Sequence, residues 1–201
     1  MRITRLTPDQ YLRQPWKNGG GITTEIARHD ADGRMIWRLS MAAVEASGPF
    51  SDFSGYQRTI MLLKGNGMLL SFDRAPMQRI DRVNVPFDFA GEWQTQCRLI
   101  DGPVEDFNLM VDRRRARGSL EILEVSAATQ SCPLPGDTGI LYALRGRLNV
   151  AADGNVFLLD AGETLRVEDC KLGAAAQSIA LGAIDLPCRV AVVRIGAVSV
   201  E

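Results

Sequence analysis

Ile60-Met61-Leu62-Leu63-Lys64-Gly65 and Ile140-Leu141-Tyr142-Ala143-Leu144-Arg145-Gly146 are two apolar runs, each closed by a basic residue and a glycine, and each followed by a second β-rich run. Further along, Phe89-Ala90-Gly91-Glu92 matches Asp160-Ala161-Gly162-Glu163, again ahead of more strand-like sequence. Features that recur twice in one order indicate an internal repeat. Glycine in both kinds of turn supplies the positive φ of a tight reversal. Repeated hairpins also let each half close with few bare strand edges. Most of the remaining chain reads the same way, as short runs such as Met68 to Phe72, Leu120 to Val125 and Arg189 to Ile195 broken by Gly, Pro, Asp and Asn. The exception is Thr7-Pro8-Asp9-Gln10, a capping box with proline at the first helical position, which predicts a short helix ending before Pro15. The expected fold is all-β: two barrel halves, residues 1–118 and 119–201, packed as one unit, with one short N-terminal helix.

A chain of 201 residues, 46% apolar and 23% charged, can bury a core of ordinary size. Lys and Arg number 23 against 24 Asp and Glu, so the basic footprint of a dedicated nucleic-acid binder is missing. The run Arg113, Arg114, Arg115 and Arg117 is the one place that could contact phosphates, but no aromatic residues are interleaved with it, and a solvated loop is the simpler reading. No segment reaches the ~20 apolar residues of a membrane helix. The four cysteines, Cys97, Cys132, Cys170 and Cys188, have no metal-ligand spacing and no secretory context, so a cytoplasmic protein with reduced, buried thiols is expected.

Pro15-Trp16-Lys17-Asn18-Gly19-Gly20-Gly21-Ile22-Thr23-Thr24-Glu25 is the most unusual stretch. An aromatic residue, a cation, an amide and three glycines lead into a strand with Thr23 and Glu25 on one face. Either the glycines form a flexible loop, or they shape the backbone for close approach to something. A second polar face occurs where Asp106, Asn108 and Met110 alternate with Phe107, Leu109 and Val111; it has to meet water or a ligand.

The strand, basic residue, glycine, return strand and Gly-acid order resembles the cupin superfamily, and its duplication resembles a bicupin. Cupins that hold metal typically carry a His-x-His pair and a Glu upstream of that glycine, with a later His. Here the upstream segment is Phe50 to Arg58, and Arg58, a permanent cation, stands where the Glu would be. The sole histidine, His29, lies beside Asp30 and Asp32 in a turn-like stretch. Neither a metal nor another cofactor is expected.

Three stretches together, PWKNGGGITTEI (15–26), WRLSMAAVEASGPFSDFSGYQRTIMLLKGNG (37–67) and GPVEDFNLMVDR (102–113), resemble the HutD/Ves family. The resemblance is strong over roughly the first 115 residues and weak beyond. It implies a bicupin lacking the usual metal ligands, and a regulatory role in histidine utilisation for HutD-type members or a stress-related role for Ves-type members. The family pattern falls on Trp16, Lys17, Asn18, Gly19, Gly20, Gly21, Thr23 and Glu25, then on Trp37, Arg38, Ser40, Gly48, Pro49, Phe50 and Arg58, then on Asp106, Asn108 and Met110. The chain departs from it at Gln57, where an acid is common, and at Asp112.

Three functions remain open at this level, the last being a stress-related interaction protein of Ves type. In the first, Lys17 and Arg58 attract a small carboxylate, Asn18 and Asn108 read a carbonyl or amide, Trp16 or Phe50 forms an apolar wall, and Glu25 or Asp106 pairs with the cations when the site is empty. Urocanate, formiminoglutamate, formylglutamate and formate are the ligands that the resemblance suggests. In the second, the same pocket is a metal-independent active site with Glu25 or Asp106 as acid or base. Neither a nucleic acid nor a membrane is an expected partner, and exposed barrel edges allow a homodimer.

Overall fold

Arg58, Ile60 and Leu62 alternate with Thr59, Met61 and Leu63, and all but Leu63 are buried, so this run needs a strand with both faces covered. In the computed structural model, which describes residues 1–169 and 178–198, it forms an interior strand of a six-stranded sheet. In chain order the elements are β1 (Arg2–Leu6), a 3-10 turn (Pro8–Gln10), β2 (Leu12–Pro15), β3 (Gly21–Ala31), β4 (Arg34–Val44), β5 (Gly48–Pro49), β6 (Tyr56–Lys64), β7 (Met68–Phe72), β8 (Gln78–Ile80), β9 (Phe87–Ala90), β10 (Thr95–Leu99) and β11 (Val104–Asp112). They continue with β12 (Ala116–Val125), β13 (Gln130–Pro133), β14 (Thr138–Arg145), β15 (Leu148–Ala152), β16 (Asn155–Leu159), β17 (Thr164–Glu168), β18 (Ser178–Ala183) and β19 (Cys188–Ala197).

The repeat is present as two copies of one eight-strand plan. The sheet order β4-β11-β6-β9 is matched by β12-β19-β14-β17, and β5-β10-β7-β8 by β13-β18-β15-β16. The first landmark pair is equivalent: Gly65 and Gly146 both close the strand that precedes the return strand, at φ of 96° and 76°. The second is displaced by one strand. Gly91 lies between β9 and β10, whereas Gly162 lies between β16 and β17, the counterparts of β8 and β9. Gly162 has a positive φ, but Gly91 does not; a Cβ there would stand 2.2 Å from the carbonyl oxygen of Phe53, so that glycine serves close approach instead.

Contacts divide the chain into Tyr11–Ala116 and a second unit of Met1–Gln10 with Arg117–Glu201. The later boundary falls two residues from the one expected at 118/119, but the first ten residues belong with the C-terminal half. There β1 pairs antiparallel with β17, from Arg2↔Glu168 to Leu6↔Thr164. Arg5 also grips Glu163, with Nη2 2.7 Å from Oε1. The expected N-terminal helix reduces to a single 3-10 turn. Half of its capping box forms, with the Thr7 amide donating to Gln10 Oε1 at 2.9 Å while the Gln10 amide donates to the Thr7 carbonyl, but Leu12–Pro15 then pairs with β3 and ends it.

Each unit has its own apolar centre. In the first it includes Val44, Ile60, Leu62, Met68, Leu70 and Val104; in the second it includes Leu141, Ala143, Leu148, Val150, Val190 and Val192. Cys97, Cys132 and Cys188 are unpaired thiols buried in these interiors, as expected, while Cys170 lies outside the described residues. Among the described residues no helix is long and apolar enough to cross a membrane.

The Gly91 contact gives a test of the turn that carries Phe53. The Gly91 carbonyl accepts from the Phe53 amide at 3.0 Å, and its own amide donates to Tyr56 at 2.9 Å. Gly91→Ala must therefore push backbone against backbone, and is expected to cost about 1–3 kcal/mol in urea denaturation. Gly48→Ala, where a Cβ meets nothing within 4 Å, is expected to change stability by less than about 0.5 kcal/mol.

Candidate functional site

Inward-facing residues of β4, β11 and β6 fall into registered rows. Ala42, Asp106 and Leu62 form one row, Ser40, Asn108 and Ile60 the next, and Arg38, Met110 and Arg58 the outermost. Thr23 of β3 stands beside Ala42, and Phe89 of β9 beside Arg58. Below these rows the interior is apolar, with Val44 opposite Val104; above, it opens into a cavity of about 450 Å³. The rows supply one wall through Arg38, Ser40, Ala42, Arg58, Asp106, Asn108 and Met110. The β2–β3 hairpin adds Gln14, Pro15, Trp16, Lys17, Asn18 and Thr23, and the segment after β5 adds Phe50, Ser51 and Phe53 beside Pro49.

Arg58 dominates the electrostatics. It is 5% exposed, and its guanidinium carbon lies 4.7 Å from the ring centre of Phe89, 5.2 Å from Phe50 and 5.4 Å from Phe53. Its one hydrogen bond to a side chain among the described residues is long, from Nη2 to Asn108 Oδ1 at 3.4 Å, and Nε–H has no partner. Arg38 shares the Phe53 ring at 5.5 Å, donates from Nη2 to the Met110 sulfur at 3.3 Å, and also has a buried Nε–H without a partner. None of the ion pairs among the described residues involves either arginine. Burial lowers both pKa values, that of Arg58 to about 10, so both remain cations at neutral pH.

Asp106 is the acidic counterweight. It is 1% exposed, and burial pushes its carboxyl up to about 7 against the opposing pull of the Asn108 hydrogen bond and the Arg58 charge. Asn108 Nδ2 donates to Asp106 Oδ1 at 3.4 Å, so the amide sits between acid and guanidinium.

The β2–β3 hairpin is shaped rather than flexible. The Trp16 amide donates to the Gly21 carbonyl at 2.9 Å, the Gly19 amide to Trp16 at 3.0 Å, and the Gly20 amide to Asn18 Oδ1 at 3.0 Å. A Cβ on Gly21 would meet the Ala43 carbonyl oxygen at 2.4 Å and the Trp16 ring at 3.1 Å. The indole Nε1–H donates to Thr23 Oγ1 at 2.8 Å, fixing the ring at the cavity wall.

Of the residues singled out from sequence, Trp16, Lys17, Asn18, Thr23, Phe50, Arg58, Asp106, Asn108 and Met110 line this cavity. Gly19, Gly20, Gly21 and Glu25 do not. The glycines set the path of the hairpin, and a register shift between Glu25 and Ala27 interrupts the pairing of β3 beyond Ser40. Glu25 stands opposite Ser40 and makes no ion pair with Lys17 or Arg58 among the described residues, but its charge acts on Arg38. Gln14, Pro15, Arg38, Ser40, Ala42, Pro49, Ser51 and Phe53 were missed as wall residues. Arg38 carried the plainest signal, since alternation along β4 puts it on the face of Ser40 and Ala42.

The other sequence features resolve simply. Arg113 pairs with Glu92 at 2.6 Å and Arg115 with Asp32 at 2.7 Å. Gln57 donates to the Phe89 carbonyl at 3.2 Å, and Asp112 Oδ1 accepts from the Arg114 amide at 2.9 Å. His29 is exposed and stacks on Trp37. Among the described residues no three His, Cys, Asp or Glu side chains gather around a metal-sized space.

The described residues of the second unit do not repeat these rows. Aligning Gly146 with Gly65 puts Gly139 in the place of Arg58, and the β14–β19 pairing puts Val192 and Val190 in the places of Asn108 and Asp106. Leu134 fills the space beside Gly139, where a Cβ would stand 2.7 Å from it.

The model of the HutD family matches residues 8–184. An uncharacterized 21.2 kDa protein in the hutC 3′ region of Pseudomonas putida is 39% identical over 173 residues, covering 83% of this chain and 87% of that one. Protein Ves of Cronobacter sakazakii is 33% identical over 132 residues, 65% of this chain and 70% of that one. Among solved structures, a conserved protein of unknown function from Pseudomonas aeruginosa PAO1 superposes with a TM-score of 0.88 at 36% identity, over 98% of this chain and all of that one. HutD from Pseudomonas fluorescens SBW25 does so with a TM-score of 0.84 at 31% identity and the same coverage. Oxalate decarboxylase of Bacillus subtilis, 8% identical with a TM-score of 0.68 over 96% of this chain and 76% of that one, shares the fold alone, a duplicated cupin-like barrel. With the family model spanning most of its length, the chain belongs to the HutD family.

Proposed function

We propose that the cavity of the first barrel binds a small carboxylate, and that the protein is a regulatory sensor of a carboxylate intermediate in histidine utilisation. The observation that carries this reading is the pair of cations, Arg38 and Arg58, facing one cavity with two buried Nε–H groups and no ion-pair partner among the described residues. An unpaired buried guanidinium is costly, and a carboxylate accepting from it removes that cost. The aromatic cage holds the cation in place without neutralising it. Lys17, exposed at the rim, adds to the attraction of an incoming anion. The pathway is supported by the relative in the hutC 3′ region, and the ligand chemistry by the solved HutD, whose structure was determined in a formate condition. Asp106 also gives a metal-independent active site a plausible acid or base; conversion of a bound metabolite, followed by NMR, would favour that reading over a sensor.

Thermal-shift titration with histidine, urocanate, formiminoglutamate, formylglutamate and formate tests the site, because a ligand of the folded state raises its apparent stability. Arg58→Met keeps the bulk and removes the charge. The unliganded variant is expected to be as stable as the parent or about 1 kcal/mol more stable. Its carboxylate affinity is expected to fall by about 2–5 kcal/mol, measured by calorimetry. Equal loss of stability and binding would make Arg58 structural.

The pH dependence follows from Asp106. Its carboxyl titrates near 7 when folded and near ~4 when unfolded, so the stability it contributes is fully present below about 4 and is lost as pH rises through 7. Its negative charge above 7 also opposes a bound anion. Formate affinity is therefore expected to fall on the order of tenfold between about pH 6 and 8, and Asp106→Asn is expected to flatten that profile.

A further inference from the structure

The polar groups of the cavity are ordered along its depth. Arg38 and Arg58 stand in the outermost row, Ser40 and Asn108 in the next, and Asp106 in the third. Successive inward residues on a strand are about 6.8 Å apart, but the Arg58 guanidinium reaches down to within 3.4 Å of the Asn108 oxygen. A single amide therefore spans the gap between guanidinium and carboxyl. The floor below Asp106 is apolar, with Val44 opposite Val104. Only one oxygen of the Asp106 carboxyl accepts a hydrogen bond among the described residues, and that bond is long. No hydrogen bond reaches the other oxygen among the described residues, and the side chain lines the cavity.

We propose that Asp106 reads the tail of the ligand: the cavity takes an acid that carries one carboxylate for Arg38 and Arg58 and, about a four-carbon chain away, an N–H donor for the free oxygen of Asp106. This rests on the carboxylate reading above and narrows it. Charge balance favours the arrangement. Two guanidiniums already face the ligand carboxylate and Asp106, with Lys17 at the rim and the charge of Glu25 acting on Arg38, so a neutral amide or azole N–H satisfies Asp106 without adding a further charge. A second ligand carboxylate would face Asp106 as a like charge and force a proton onto one of them. A methyl ester or methyl group at the same place would leave a buried carboxyl oxygen unpaired, the situation in which hydrogen-bonding sites discriminate best.

Four acids of one chain length separate these cases: succinamate, monomethyl succinate, succinate and butyrate, titrated calorimetrically at pH 8 into the whole protein. Succinamate is expected to bind at least about tenfold more tightly than monomethyl succinate and butyrate, with succinate no better than either. Asp106→Leu should abolish the succinamate preference while retaining butyrate, and Arg58→Met should weaken all four. Equal binding of succinamate and butyrate by the parent protein overturns the role of Asp106 while leaving the carboxylate site standing. Binding of none of the four overturns the carboxylate reading and this inference with it. The parent-protein comparison decides the matter even if Asp106→Leu does not fold.

Discussion

A guanidinium is held beneath three aromatic rings, with no ion-pair partner among the described residues, at the mouth of the first barrel. That arrangement costs stability, since a buried charge needs partners and the Arg58 guanidinium has one long hydrogen bond to a side-chain amide among the described residues. The surrounding structure is organised around tolerating it. Phe50 and Phe53 come from the segment between β5 and β6, Phe89 comes from β9, and each presents its ring to the cation. Gly91 lets that segment approach by leaving room for the Phe53 carbonyl, and Asn108 turns its amide so that its oxygen faces Arg58 and its nitrogen faces Asp106.

The duplicated fold makes the meaning of this cost clearer. The same eight-strand plan is built twice, but the rows that carry Arg58, Asn108 and Asp106 in one copy carry Gly139, Val192 and Val190 in the other. A barrel of this kind packs well with apolar rows, as the second copy shows with Leu141, Val150 and Val192. The polar rows of the first copy are thus not a requirement of the architecture. Strain and unpaired polar groups that the fold could have avoided collect at sites of function.

Much of this could be read from the chain before any coordinates. Strand alternation in Asp106 to Val111 gave the faces correctly, and Gly65 with Gly146 marked the repeat. The failures have physical causes. The Gly91 and Gly162 turns look alike in sequence but serve different strands, because a short motif does not record its place in the pairing order. The box at Thr7 formed one of its two hydrogen bonds and made only a 3-10 turn, since pairing of Leu12–Pro15 with β3 outweighed local preference. The glycine run drew attention as a ligand loop, yet Gly21 is needed for the Ala43 carbonyl and the Trp16 ring. Arg38 was legible as part of the family pattern but became a wall residue only once β4, β11 and β6 were known to be neighbours.

The central claim is that Arg38 and Arg58 together hold an anion, and their Nε–H groups report on it directly. In an NMR spectrum of protein labelled with 15N at arginine, both Nε–H resonances are expected to shift in concert and saturate as a small carboxylate is added at neutral pH. If the carboxylate binds, as judged by calorimetry, while those two resonances stay where they were, the anion sits elsewhere and the account of the cavity is wrong.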